Sequence, residues 1–272
     1  MPVRSGKIKI KRYRTGRNKI GLLLLILLLS ITLLWFFLRK KPDLKLPSFL
    51  TPSLTREDMA ADSRVITLPG SRFFALQLGA FSDVESAKAL AASYQNRGAA
   101  GYIYEKDSFR VLAAAYDSRE SAQAVQQQLS QNHGVDAYLF PIDRTEITLR
   151  LSGQKAQLNA LSDAFDLCSQ LTISLSQISQ SLDQGTMAME EALTALSSQQ
   201  ETIRALNARL LSLFKKEKHE AVTRLSSLLQ ETDQCLAQAA KASSSTKLGS
   251  AIKYSQLSLI CGLESYVLSL TP

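Results

Sequence analysis

Residues 73–142 repeat themselves, and no other feature of the chain restricts its fold so tightly. A shift of 35 places Leu76 on Val111, Gly79 on Ala114, Phe81 on Tyr116 and Ser82 on Asp117. The same shift superposes Glu85-Ser86-Ala87 on Glu120-Ser121-Ala122. One more residue of shift sets Gly98-x-x-Gly101-Tyr102-Ile103-Tyr104 on Gly134-x-x-Ala137-Tyr138-Leu139-Phe140. Each half opens on a strand-like run, Phe73 to Gly79 and Phe109 to Ala115. A capping-box spacing follows, Ser82-x-x-Glu85 and Asp117-x-x-Glu120, in which two side chains satisfy orphan amides at a helix start. Each half then holds a helix of about 14 residues, closed by a glycine, Gly98 or Gly134, and a second short strand.

The order β-α-β-β-α-β predicts an α+β unit: a four-stranded antiparallel sheet with both helices on one face, the RNP/ferredoxin-like outline. Period-two alternation sorts the residues. Leu76, Leu78, Ile103, Phe109, Val111 and Leu139 face the helices, opposite Ala87, Leu90, Ala91, Ala122, Val125 and Leu129. The other face carries Gln77, Tyr102, Tyr104, Arg110, Leu112, Tyr138 and Phe140, and the repeat has no helix left to cover it.

Phe73-Phe-Ala-Leu-Gln-Leu-Gly-Ala-Phe81, Glu85-Ser-Ala87, Phe109-Arg-Val111 and Ser118-Arg-Glu-Ser-Ala122 together resemble the SPOR domain, the sporulation-related repeat, over about 70 of 272 residues. The resemblance implies an extracytoplasmic module that binds peptidoglycan glycan strands stripped of their stem peptides, through the sheet face turned away from the helices. It implies contact roles for a Gln in the first strand and an Arg in the third, matched by Gln77 and Arg110. Two family positions differ. A Ser three residues after the Gln is Ala80 here, and an aromatic two residues before the Arg is Ser108. The usual Gly-Pro after the third strand is replaced by Ala113-Ala-Ala115. The chemistry suits the ligand. An amide and a guanidinium donate to hydroxyls, acetamido groups and the lactyl carboxylate of muramic acid. Tyr102, Tyr104, Tyr138 and Phe140 offer flat apolar faces to sugar C–H groups. Packing against one another or against a neighbouring domain is the alternative role for these aromatics.

The net charge of +8 suggests nucleic acid until it is located. Residues 1–50 carry twelve Lys or Arg against Asp43 alone, so this stretch is +11 and the rest of the chain, by difference, is −3. A nucleic-acid-binding domain concentrates its cations on the folded part. The same charges flank Ile20 to Leu38, a run that contains no charged residue. As a helix at 1.5 Å per residue this run spans about 30 Å, the thickness of the hydrocarbon core. Trp35, Phe36 and Phe37 stand at its far end, where aromatic rings favour the interface. Eight basic residues precede the run, so the positive-inside bias holds residues 1–19 in the cytoplasm and places the rest outside. A cleaved signal peptide would need a shorter core and a small-residue cleavage site, and Arg39-Lys-Lys-Pro-Asp43 offers none. Residues 39–71, with Pro42, Pro47, Pro52 and Pro69, read as a linker.

The domain plan is therefore a basic tail (1–19), a transmembrane helix (20–38), a linker (39–71), a SPOR-like unit (72–143) and a helical domain (144–272). In the last, Ile147, Leu149 and Leu151 alternate as an extra strand or a linker. After Gly153 apolar residues recur at threes and fours in four sets: Leu158 to Leu182, Met189 to Leu213, Val222 to Ala239 and Ile252 to Leu270. Breaks at Asp183–Thr186, Lys215–Lys218 and Ser243–Leu248 make this an antiparallel bundle of three or four helices. A single rod running through Lys215–His219 is the alternative for the middle pair.

Nothing in the chain spells out catalysis. Cys168, Cys235 and Cys261 lie one per proposed helix without metal-ligand spacing, and read as buried thiols or as one disulfide with one thiol left over. His219-Glu220 lacks the second histidine of a zinc protease motif. A glycan hydrolase needs two carboxylates facing across a cleft, and Glu85 and Glu120 are taken as caps. The expectation is a non-enzymatic, cofactor-free membrane-anchored protein that binds denuded glycan at division or sporulation septa. Residues 150–272 then engage a division or sporulation protein. The alternative is an envelope scaffold whose repeat has lost glycan affinity.

Overall fold

The computed structural model describes residues 61–215 and 219–270. The proposed transmembrane segment 20–38 and the tail before it lie outside the described residues. Among the described helices none is long and apolar enough to cross a membrane.

The duplicated unit forms as its pattern dictates. A strand that precedes it is β1 (Ala61–Leu68). Strand β2 (Ser71–Phe81), helix α1 (Val84–Gln95), strands β3 (Tyr102–Glu105) and β4 (Phe109–Tyr116), helix α2 (Arg119–His133) and strand β5 (Tyr138–Arg144) follow in order. The sheet runs β3-β4-β2-β5, antiparallel at every junction. One face meets α1 and α2 through two small clusters. Leu76, Ala113, Ala114 and Tyr116 pack with Ala122, Val125 and Leu129. Val111, Ile103 and Phe109 pack with Ala87, Leu90 and Ala91. Alanines on the helices let them sit close to the sheet.

The helix caps fall one residue later than the spacing suggests. Asp83 and Ser118 accept from the backbone N–H of Ser86 and Ser121, at 2.8 and 3.1 Å. Each half offers two capping residues side by side, Ser82-Asp83 and Asp117-Ser118. Either can serve as an N-cap, so spacing alone does not choose between them. Gly134 ends α2 in the left-handed region (φ 60°), its N–H reaching Leu129 and Ser130 carbonyls. In the first half the cap is Asn96, and Gly98 (φ 93°) follows two residues on.

Part of the segment assigned to the linker is a strand. β1 pairs antiparallel with β6 (Ile147–Gln154), from Ala61 opposite Gln154 to Leu68 opposite Ile147. The partner strand lies far along the chain, and a strand's backbone groups need a partner it cannot supply itself. Ile66 and Leu68 are buried while Val65 and Thr67 are exposed, so the ribbon rests one face on the bundle.

Four helices follow: α3 (Lys155–Asp183), α4 (Met189–Leu213), α5 (Glu220–Ala239) and α6 (Ser245–Leu270). The middle pair are separate helices rather than one rod. Each packs on two neighbours in a closed ring, α3-α4-α5-α6. Contacts between helices fix the directions. Arg209 pairs with Asp163 while Gln199 reaches Ser174. Asn207 meets Ser226 while Gln200 meets Asp233, and Phe165 lies by Tyr266 while Asp183 holds Lys253. In each pairing the residue numbers run oppositely, so the bundle is antiparallel throughout.

The last helix packs in two directions. Its Leu248, Ile252, Leu259, Leu263 and Val267 are buried, and its Leu257, Ile260 and Cys261 form a second cluster with Ala75, Leu112, Ala115 and Ile142 of the sheet. The sheet face expected to stand bare is thus partly covered by α6. Polar bonds pin the docking: Ser250 Oγ donates to the Ala99 carbonyl at 2.6 Å, and Lys253 Nζ to the Gly98 carbonyl at 2.9 Å. All three cysteines are free; Cys168 and Cys261 are buried and Cys235 is half-buried. Burial pushes the Cys168 and Cys261 thiols up to about 12.

Candidate glycan-binding surface

Alternation, with a bulge in β2, brings the strand residues among the nine candidates to one face, Ser108 standing in the β3–β4 turn beside it, and α6 then divides them. Across the sheet the register sets Tyr104 beside Arg110 and Arg110 beside Ala80. The next row sets Tyr102 beside Leu112, Leu112 beside Gln77, and Gln77 beside Tyr138. Gln77 and Ala80 are three apart and yet share a face because the β2–β4 register slips twice, between Ala75 and Gln77 and again between Gln77 and Gly79. The bulge puts Gly79 on the helix side, where a Cβ would meet Leu90 and Phe81 at 3.0 Å. Bulges re-aim side chains without ending the ladder. Here the bulge gives the Gln-x-x-Ala spacing its meaning.

Leu112 lies at the covered end, 0 % exposed under α6. A ligand cannot touch it in this arrangement, which corrects its place among the contact residues. Tyr102 also belongs to the interface: its ring stands edge-on to Tyr254 of α6, centroids 5.3 Å apart. Desolvation, together with Cys261 and Tyr254 alongside, drives its hydroxyl far above the usual phenol range. Tyr104 is at the boundary. Its hydroxyl donates to Glu264 of α6 at 3.0 and 3.2 Å, with burial and that carboxylate both raising its pKa. Lys106 approaches the same carboxylate at 3.9 Å.

The open end retains Gln77, Ala80, Ser108, Arg110 and Tyr138, all half-buried or exposed with Tyr138 64 % exposed, while the half-buried Phe140 borders it and also packs against the α6 cluster. Arg110 is held in place. Its Nη1 donates to Gln77 Oε1 at 2.9 Å, its guanidinium lies 4.9 Å over the Phe140 ring, and the Phe140 ring tilts against Tyr104 at 5.6 Å. Stacking on an aromatic face preorganises a guanidinium and leaves its other donors outward. Because the Gln77 amide oxygen already accepts from Arg110, the group Gln77 presents to a ligand is its NH2. The pair is therefore a donor surface, suited to a carboxylate, a hydroxyl oxygen or an acetamido carbonyl. Among the described residues no group of His, Cys, Asp and Glu has the arrangement to hold a metal ion.

Sequence reasoning held packing against a neighbouring domain open for the aromatics, which Tyr102 and Tyr104 bear out, but did not identify α6 as the cover or foresee that it buries Leu112. The signal for that cover was present: Leu257, Ile260 and Cys261 lie off the stripe of Ile252, Leu259, Leu263 and Val267, and a helix apolar on more than one side is buried on more than one side. Glu264 and Tyr254 carry no such signal.

A βαββαβ sheet thus presents a hydrogen-bonded donor pair and flanking aromatics on the open part of one face. Residues 70–141, roughly a quarter of the chain, match the family model described as SPOR domain. The chain carries a SPOR domain followed by a helical region, and SPOR domains bind peptidoglycan glycan strands. No curated protein and no solved structure matches the chain.

Proposed function

We propose that this is a non-catalytic, membrane-anchored envelope protein whose SPOR domain recognises denuded glycan strands and so concentrates it at division or sporulation septa. The supporting observation is that Gln77 and Arg110 stay half-exposed beside α6, joined by a 2.9 Å hydrogen bond and backed by Phe140. Removal of stem peptides frees the lactyl carboxylate of each muramic acid, an acceptor that this donor pair would favour through charge-assisted bonds. Tyr138 and Phe140 would flank the sugar rings. Anchoring rests on Ile20–Leu38 with its flanking charges, and the outward placement of the domain on the positive-inside bias. The bundle is left as the surface for a division or sporulation partner.

The cover supplied by α6 favours a second reading: an envelope scaffold in which the sheet serves to dock the bundle and glycan affinity is lost. Localisation separates the two. A fluorescent full-length fusion should gather at septa, and the Gln77→Ala/Arg110→Ala variant should spread evenly along the membrane at equal abundance. Even distribution of the unaltered chain, or septal enrichment that the double variant keeps, would defeat the glycan reading.

A further inference from the structure

At the opposite end of the sheet from Gln77 and Arg110 lies a cavity of about 180 Å³ where the sheet, the β1–β2 turn and the bundle meet. Its wall is mostly apolar, with Phe73 and Ile142 from the sheet, Ile173 from α3, and Ile260 and Leu263 from α6. The hydroxyl residues Ser71, Ser169 and Thr172 break it. One cation lines it, Arg144 at the end of β5. That guanidinium is poorly satisfied. Its Nη2 donates to the Pro69 carbonyl at 3.0 Å, while its Nε is buried with no hydrogen-bond partner. Among the described residues no carboxylate pairs with it. The neighbouring ionisable group is Cys168, whose burial pushes its thiol up to about 12 and keeps it neutral near pH 7. Desolvation lowers the pKa of Arg144 itself.

A half-buried guanidinium with one buried, unpaired N–H and no counter-charge is costly, and a bound anion would relieve that cost. A cavity that combines an apolar wall with one unmatched guanidinium supplies the two halves of an amphipathic anion site. We propose that this cavity binds a small carboxylate with a short apolar body, the carboxylate pairing with Arg144 and the apolar body lying among Phe73, Ile142, Ile173 and Leu263. Carboxylate is preferred to phosphate because the wall offers one cation, and the Ser169 and Thr172 hydroxyls already donate to carbonyls within α3. The cavity is smaller than the pockets that enclose drug-sized ligands. The occupant is then either a free short-chain acid or the C-terminal residue of a peptide.

The test is isothermal titration of detergent-solubilised full-length protein at pH 7.5 with 3-methylbutanoate and with its neutral isostere 3-methylbutanamide. The carboxylate should bind at least tenfold more tightly than the amide. Arg144→Gln should bring the two level, and Arg144→Lys should restore part of the preference. Ile173 is 56 % exposed at the cavity, so Ile173→Trp should fold normally and block the carboxylate even if Arg144→Gln disturbs folding. Acetyl-Ala-Val with a free C-terminus identifies the source: binding as tight as that of the short acid points to a peptide end, and much weaker binding to a free acid. Absence of binding by all these acids, equal affinity for acid and amide, or unchanged affinity in both Arg144→Gln and Ile173→Trp would overturn the proposal.

Discussion

The two faces of one four-stranded sheet are buried by different means. On the helix side Leu76, Val111 and Ala113 meet α1 and α2, elements of the same repeat, through small apolar contacts. On the other side Leu112 and Ala115 meet α6, the last element of the chain. That contact is aromatic and polar as well as apolar, with Tyr102 on Tyr254, Tyr104 on Glu264, and Ser250 and Lys253 on backbone carbonyls. The first face is built by the repeat for itself. The second is borrowed by the bundle, which stops short of Gln77 and Arg110 and so sets the limits of the surface a ligand can reach.

The contrast can be broken most forcefully in the core. Leu76→Ala and Leu112→Ala remove equally buried side chains from the two faces, and each should cost about 2–5 kcal/mol in urea unfolding of the full chain. If Leu112→Ala cost less than about 1 kcal/mol, α6 would not be packed on the sheet. Next comes the polar seam. Tyr104→Phe removes a donor to a nearly buried carboxylate and should cost about 1.5–3 kcal/mol. Amide exchange should rise along α6 more than along α1 or α2, and a uniform rise would deny that Tyr104 holds α6 in particular.

Alkaline pH provides a gentler probe. The Cys168 and Cys261 thiols sit near 12 in the folded chain, above the ordinary 9.0. A folded pKa above the unfolded one gives stability that is complete below about pH 9 and lost as pH rises toward 12. Melting temperature should therefore fall across that window, and Cys261→Ala should remove that thiol's share of the fall, while the raised hydroxyls of Tyr102 and Tyr104 keep the rest of the alkaline dependence of the sheet–α6 contact. A melting curve unchanged from pH 9 to 12 would contradict this. The smallest effect is at the caps. Ser118→Ala should lower stability by about 1 kcal/mol and Asp117→Ala by much less, whereas the capping-box spacing read from the sequence would reverse that order.

Much of this was legible because it is local. Alternation along β2 and β4 placed Leu76, Gln77, Arg110 and Val111 on their observed faces, and the 35-residue repeat gave both helices and the strand order within each half. What escaped depends on distant partners. Residues 61–68 carry too little pattern to announce a strand until Ile147–Gln154 is beside them. Leu112 read as a surface residue because nothing within the repeat could cover it. Asp83 and Ser118 were missed for a different reason: each adjoins a second residue able to cap, and only backbone geometry chooses. Arg144 gave no sign at all, since an unmatched charge shows only once its neighbours are known.

If the open end of the sheet holds glycan and the covered end does not, co-sedimentation of the detergent-solubilised full-length chain with sacculi will show it. Clear enrichment on amidase-treated over untreated sacculi is expected, with at least a tenfold loss of affinity in Gln77→Ala/Arg110→Ala. Equal pelleting with both preparations, or stripped-glycan binding that the double variant leaves intact, would contradict it.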